Sequence, residues 1–315
     1  MTPSISASNS RDDSRPLIVD LLAAHSEEIA SVQEGIKANN LGKDLYIKGG
    51  NPQCYDDIWI LRFVLSHRGN VKSATKAAIK TMIFREEKQL NVVGDLRYKI
   101  KNYSCEENDA FSSDIATDLP GRKLIISSFE KNANLFFLPD KNKSFWVITQ
   151  LCKVDLERIV TEMSEEELSE WYLYHNEAIY QALDEITRRT GRLTKAMKII
   201  DMKNMQLLKM NRTYVKRDAA ASKVNEDFYP QLLGAMYIFN SPGWLSGFWV
   251  LVRPFFPKRV VEKIVFLPSL SKIKKSKKSF ESISRYISEE HLPEKYRGMH
   301  KTWPLPPAGS QFLQD

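Results

Sequence analysis

The apolar positions along the chain change their period once, near residue 90. From Pro16 to Ala38, the positions Leu17, Leu21, Leu22, Ile29, Val32 and Ile36 recur at helical spacing, which predicts a helix with one buried face. Gly42 and the run Gly49-Gly50-Asn51-Pro52 predict a turn-rich connector. Tyr55–Ser66 reads as a second helix, and Asn70 as the cap of a third that runs through Lys88. A helical subdomain is therefore expected over residues 15–90, after a disordered tail over residues 1–14.

Beyond it the spacing is different. Short β-branched or aromatic runs appear at Lys123–Phe129, Phe145–Leu151, Met197–Met202, Met236–Phe239 and Ile264–Leu267, each suited to a largely buried strand. Helical patterns lie between them. Ser164 with Glu167 forms a capping box, the helix it opens runs toward Arg189, and Gly191 follows as a C-cap. Strands alternating with helices imply the α/β class with a mostly parallel sheet over residues 105–303, followed by a tail over 304–315. The chain shows no internal repeat.

One segment departs from both patterns. Met236–Val252 runs for 17 residues without a charge. It is too short to span a bilayer, and Asn240-Ser241-Pro242-Gly243 breaks it. It reads as a strand, a turn and a helix over Trp244–Val252 that is apolar on every side. Such a helix needs two apolar neighbours. The sheet is one; the other is a bound lipid, or a membrane when the helix swings out. A fully buried core helix satisfies the same pattern. On the lipid reading, Trp244, Phe248, Trp249, Leu251 and Phe255 close one apolar cavity against strands that include Ile199 and Ile238, with Gly243 and Gly247 at the hinge.

Composition narrows the class. With 43% hydrophobic and 27% charged residues the chain has the make-up of a globular protein. The net charge of +7 is unevenly placed: Arg253–Arg285 holds ten Lys or Arg against Glu262 and Glu281, a segment charge of +8 that leaves −1 for the rest. Lys258, Arg259 and Lys263 follow directly on the apolar helix, and Lys274, Lys275, Lys277 and Lys278 stand further along the same basic segment; Lys258, Arg259 and these four are expected to contact the membrane. That juxtaposition suits insertion of apolar side chains beside anionic headgroups. A solvated lysine-rich loop is the plainer reading. The run lacks interleaved aromatics, so no nucleic-acid partner is expected. Cys54, Cys105 and Cys152 are odd in number and far apart, which points to a reducing compartment and away from a structural metal. The polar start with Asp12 and Asp13 does not fit a secretory signal. No GxSxG, HExxH, P-loop or GxGxxG motif is present, so no enzyme activity is expected. Tyr172, Tyr174 and His175 cluster on an expected helix within conceivable reach of a haem iron, but helix surface is the better reading, and no cofactor is expected.

Phe228–Leu267 resembles the core of the CRAL-TRIO lipid-binding domain family, in particular its phosphatidylinositol transfer members. The motifs that carry the resemblance are Tyr229-Pro230-Gln231-Leu232-Leu233-Gly234, then Asn240-Ser241-Pro242, then Arg253-Pro254-Phe255. Ile60-Leu61-Arg62-Phe63-Val64-Leu65 with Val71–Glu87, and His291-Leu292-Pro293-Glu294-Lys295-Tyr296-Arg297-Gly298, agree in the same order. The resemblance implies an N-terminal helical subdomain, an α/β domain with a gate helix, and one lipid held in an internal cavity. It also implies a lipid headgroup held by Lys263, His67 and Arg68, with Gln231 where those members place a Glu. The family's phosphatidylcholine-binding hydroxyls before Asp201 are missing, since Met197 and Lys198 stand there. The expectation is a monomer, cytoplasmic and peripherally associated with anionic membranes, that carries a phosphatidylinositol-type phospholipid. The alternatives are a carrier of a neutral tocopherol, retinoid or sterol, and a lipid-filled adaptor.

Overall fold

A computed structural model describes residues 15–48, 55–88, 90, 124, 128, 134–137, 145–267 and 303–304. The chain begins with α1 (Ile18–Ala24), α2 (Ser26–Ala38), α3 (Asn40–Lys48), α4 (Asp57–Ser66) and α5 (Val71–Glu87). The single helix expected over 16–38 is interrupted at His25, which stands at φ −122° and ψ 21°. Ile29, Val32 and Ile36 form the buried stripe of α2. Gly42 lies inside α3 and not in a turn: a Cβ there would sit 2.9 Å from the Ile36 carbonyl oxygen, so the bare glycine is what allows the close approach. Asp56 and Asn70 cap α4 and α5 by accepting from the Trp59 and Ser73 amides.

The sheet order is β5-β4-β3-β2-β1-β6, with β1 (Asn134–Phe137), β2 (Phe145–Gln150), β3 (Ala196–Asp201), β4 (Leu233–Phe239), β5 (Ile264–Phe266) and β6 (Trp303–Pro304). β2 to β5 run parallel, while β1 pairs antiparallel with both β2 and β6. β1 and β6 escaped the sequence reading because each is too short to show a period. Pro304 fits where it lies, since β6 ends the sheet order. The strand expected over 123–129 is corrected: its described residues Leu124 and Ser128 are helical, and the Ser128 hydroxyl donates to the Leu124 carbonyl one turn back.

α6 (Leu156–Glu162), α7 (Glu165–Thr190), α8 (Arg212–Phe228), α9 (Leu245–Val252) and α10 (Lys258–Val261) complete the described helices. The capping box at Ser164 and Glu167 is formed, and α7 ends at Gly191 with φ +64°. One core joins the helical lobe to α7 and the segment after it, from Ile36, Ile60, Leu61 and Met82 to Leu173, Leu183 and Leu193. Each such aliphatic side chain, fully buried, contributes roughly 1.5–3 kcal/mol. Among the described residues no helix is long and apolar enough to cross a membrane.

Candidate ligand cavity

The register of the sheet decides which side chains share a face. Val147, Lys198, Met236 and Ile264 lie in one row across β2, β3, β4 and β5. Two residues further on, Thr149 pairs with Ile200 and Ile200 with Ile238. Side chains alternate between faces along a strand, so Ile199 points to the opposite side.

On the Lys198 face the two ends of the strands are filled differently. Toward the C-terminal ends, Ile238 and Ile200 pack with Met202, Met205, Leu156, Ile159 and Leu245 in an apolar cluster that Trp244 and Phe248 border. Toward the N-terminal ends lies a cavity of about 330 Å³ between the sheet, α7, α8, the end of α4 and α10. That volume is in the range of small-molecule sites, about 300–1,000 Å³. Its walls are mixed. Leu65, Val147, Ile179 and Met236 are apolar, while Arg68, Lys198, Arg259, Lys263, Asp218, Glu226 and Gln231 bring charge and hydrogen-bonding groups.

Two lining residues hold left-handed backbone without being glycine: Arg68 at φ +53° and Gln231 at φ +62°. Such conformations cost of order 1–3 kcal/mol and persist where surrounding structure enforces them. Here Gly69, itself at φ +77°, donates its amide to the Val64 carbonyl at 3.0 Å and closes the end of α4. The Gln231 amide donates to Ser66 Oγ at 3.0 Å, tying the turn before β4 to the same helix end. Gly234 follows, and a Cβ there would lie 2.9 Å from Met197 Sδ, so any larger residue would push that side chain aside.

Lys263 lies just before β5, and its Nζ donates to Glu226 Oε1 of α8 at 3.0 Å. The partner of this half-buried ammonium is therefore Glu226, from a distant helix. His67 stands beside the cavity region at the end of α4. Burial, and then the nearby Arg259 charge, lower its pKa, so the neutral imidazole is favoured. At the opposite wall, the Tyr172 hydroxyl donates to Asp218 Oδ1 at 2.8 Å and lies 3.1 Å from Tyr214 Oη. Burial and then the Asp218 carboxylate push both phenols up, which keeps them protonated. Tyr172 thus faces the cavity and is not helix surface; the side chains of Tyr174 and His175 lie outside the described residues. Among the described residues no group of His, Cys, Asp or Glu could hold a metal ion.

The residues expected to form an apolar closure do not line this cavity. Ile199, Ile238, Trp244, Phe248, Trp249, Leu251 and Phe255 are absent from the described lining. Ile199 faces away, and Ile238 belongs to the neighbouring apolar cluster. α9 buries Leu245 and Val252 but leaves Val250 70% and Leu251 61% exposed. It is apolar all round, with one flank in the core and one in solvent. Trp244 meets Phe248 edge to face at 5.9 Å, and Trp249 meets Phe266 at 5.5 Å. Phe255 lies under the Arg212 and Lys216 cations at 5.9 and 5.3 Å. Lys258 is exposed, whereas Arg259, assigned to the membrane face from sequence, also lines the cavity. Lys274, Lys275, Lys277 and Lys278 lie outside the described residues. Sequence reading missed Tyr172, Tyr214, Asp218 and Glu226 as wall residues. Only Lys198, a lone cation within the strand Ala196–Asp201, carried a signal there.

Comparison with known proteins agrees with this architecture. The CRAL/TRIO domain model matches residues 129–298. The Sec14 cytosolic factor of Schizosaccharomyces pombe is 24% identical over 258 residues, 80% of this chain and 77% of that protein. A CRAL-TRIO domain-containing protein of Saccharomyces cerevisiae is 24% identical over 251 residues, 77% of this chain and 71% of that protein. The crystal structure of Sfh5 is similar in fold, with a TM-score of 0.50 at 13% identity, covering 93% of this chain and 98% of that chain.

Proposed function

The chain belongs to the CRAL/TRIO domain family, and on that premise we propose that it holds one phosphatidylinositol-type phospholipid in the cavity and moves or presents it at membranes, without chemical change to it. The observation that carries the reading is the cavity wall itself. Arg68, Gln231 and Lys263, from three distant parts of the chain, line one space together with Arg259. A cationic wall with an amide donor suits a phosphate and its hydroxyl-bearing substituent. A neutral isoprenoid or sterol would offer Arg68 and Arg259 no anionic partner.

The exterior supports delivery at a membrane. Val250 and Leu251 of α9 and, at 96% exposure, Leu208 are apolar side chains in solvent. The cations Arg253 and Lys258 adjoin α9, and Lys209 follows Leu208. Apolar tips between cations match the boundary of an anionic bilayer. Acyl chains gain about 0.8 kcal/mol per methylene in any apolar surrounding, so exchange between bilayer and protein is close to thermoneutral.

Replacing Lys263 with Ala is expected to abolish transfer of labelled phosphatidylinositol between vesicles while sparing any neutral lipid. Transfer at the wild-type rate by that variant would refute the headgroup assignment and move the ligand toward a neutral isoprenoid or sterol.

A further inference from the structure

α7 turns one row of side chains into the cavity. Tyr172, Asn176 and Ile179 stand at helical spacing, and all three line it. Asn176 is the odd member of the row. It is 7% exposed, and its amide bonds no described residue. The other described buried polar side chains of α7 are met. Glu177 accepts two bonds from Arg85, Asp184 accepts from Arg188 through Oδ2, and the Thr187 hydroxyl donates to the Leu183 carbonyl. The side-chain amide of Asn176 carries two N–H donors and an acceptor oxygen. Left dry and unpaired, it costs what a lost hydrogen bond costs. A ligand that brings a neutral oxygen acceptor to it removes that cost.

The level of Asn176 along the helices decides which part of a lipid it meets. β2, β3 and β4 are parallel, and α7 and α8 each return the chain from the end of one strand to the start of the next. The two helices therefore run in one direction. Tyr172 of α7 bonds Asp218 of α8, which fixes their relative height. Asn176, one turn on, stands level with Ala221 and Ser222, which also line the cavity. Glu226, with Lys263 on it, lies a further turn on. Asn176 thus stands about 6 Å short of the Glu226–Lys263 level, at roughly 1.5 Å per helical residue. Its neighbours there, Ile179 and Ala221, are apolar. A phospholipid with its phosphate at the cations places its glycerol esters next, at the border of its polar and apolar parts. Their carbonyl oxygens are neutral acceptors at the depth of Asn176.

We propose that Asn176 is a specificity residue of the cavity: its amide donates to an ester carbonyl of the bound lipid, and so favours diacyl lipids over their dialkyl ether counterparts. The proposal rests on the reading of the cavity as a phospholipid site. A dialkyl lipid carries the same headgroup, phosphate and chains, but a methylene where the diacyl lipid has its carbonyl. It leaves the Asn176 amide buried without a partner, so the two lipids differ at this one contact.

The test offers the full chain vesicles that hold equal amounts of diacyl and dialkyl phosphatidylinositol of matched chain length, and reads the captured lipid by native mass spectrometry. Wild-type protein is expected to take the diacyl form in about fivefold excess, the value of one neutral hydrogen bond. Asn176→Leu keeps the size and loses the amide. Its diacyl excess is expected to vanish, with dialkyl capture at or above the wild-type level. Its unfolding midpoint without lipid is expected to be no lower than that of wild type, because an apolar side chain replaces an unpaired buried amide. The wild-type ratio tests the proposal even without the variant. Equal capture of both forms by wild type, as a water on Asn176 in place of the ester would give, overturns the role of Asn176 and leaves the phospholipid reading intact. A Leu variant that keeps the wild-type excess does the same. Wild-type protein that captures neither form overturns that reading and the proposal with it.

Discussion

The contact between the helical lobe and α7, and the cavity on the sheet, both gather cations, but they treat the charge differently. Arg62 and Arg85 are buried at the first; at the second Lys198 is half-buried, and Arg68 and Arg259 are exposed. At the lobe contact each cation meets a carboxylate from another helix. Arg85 makes two hydrogen bonds of 2.9 Å to Glu177, which is fully buried. Burial works against the Arg85 charge, but the attraction and hydrogen bonds of Glu177 outweigh it, and its pKa is raised. Arg188 bridges Asp184 at 2.7 Å to Asp56 of the lobe. Arg62 lies 3.6 Å from Asp184 and donates to Thr187 at 3.2 Å. In the cavity, Arg68, Lys198 and Arg259 meet no such partner among the described residues. Charges that hold the lobe contact are met by carboxylates within the chain. Charges that wait for a ligand are not, and the contrast marks the site.

The largest effect expected from breaking this contrast is at the paired end. Arg85→Met leaves Glu177 buried and unpaired, and should lower stability by about 3–5 kcal/mol in urea denaturation. A loss under about 1 kcal/mol would show that Glu177 finds another partner or takes up a proton. Charge reversal of Lys274, Lys275, Lys277 and Lys278 should weaken co-sedimentation with anionic vesicles by roughly 1 kcal/mol per residue, and added salt should weaken the wild type likewise. Binding untouched by both treatments would leave the lysines as a solvated face. Leu251→Asp should reduce vesicle binding by about 1.5–3 kcal/mol, the value of one inserted leucine, while the unfolding midpoint stays within about 0.5 kcal/mol because the side chain is exposed. A stability loss larger than the binding loss would return α9 to the core. The smallest effect is at the boundary of the two kinds of charge. Glu226→Gln releases Lys263 from its ion pair, and capture of phosphatidylinositol should tighten by about fivefold in a vesicle competition assay. Weaker capture would mean that Glu226 itself serves the headgroup hydroxyls.

The sequence was most legible where one local rule acted alone. The capping box at Ser164, the left-handed Gly191 and the Asn70 cap follow from a few neighbouring residues, and each is found where it was expected. The parallel strands β2 to β5 followed from their β-branched runs. What failed depended on distant chain. Gly42 reads as a turn until the Ile36 carbonyl is seen against it. His25 splits a helix whose apolar spacing continues across it. The cavity is the clearest case. The all-apolar Trp244–Val252 helix drew attention as its cover, yet the register of β3 and β4 turns Ile199 to the far face and gives the near face to Lys198 and Met236. The walls supplied by Tyr172, Tyr214, Asp218 and Glu226 come from α7 and α8, whose spacing tells that they are helices and not what they face.

The central claim is that the cavity takes one anionic phospholipid. Native mass spectrometry of the purified full-length chain after incubation with phosphatidylinositol-containing vesicles tests it most directly. The account predicts one phosphatidylinositol bound per chain, lost in the Lys263→Ala variant. A chain that stays free of phospholipid, or that carries only a neutral hydrophobic molecule in both forms, would contradict it.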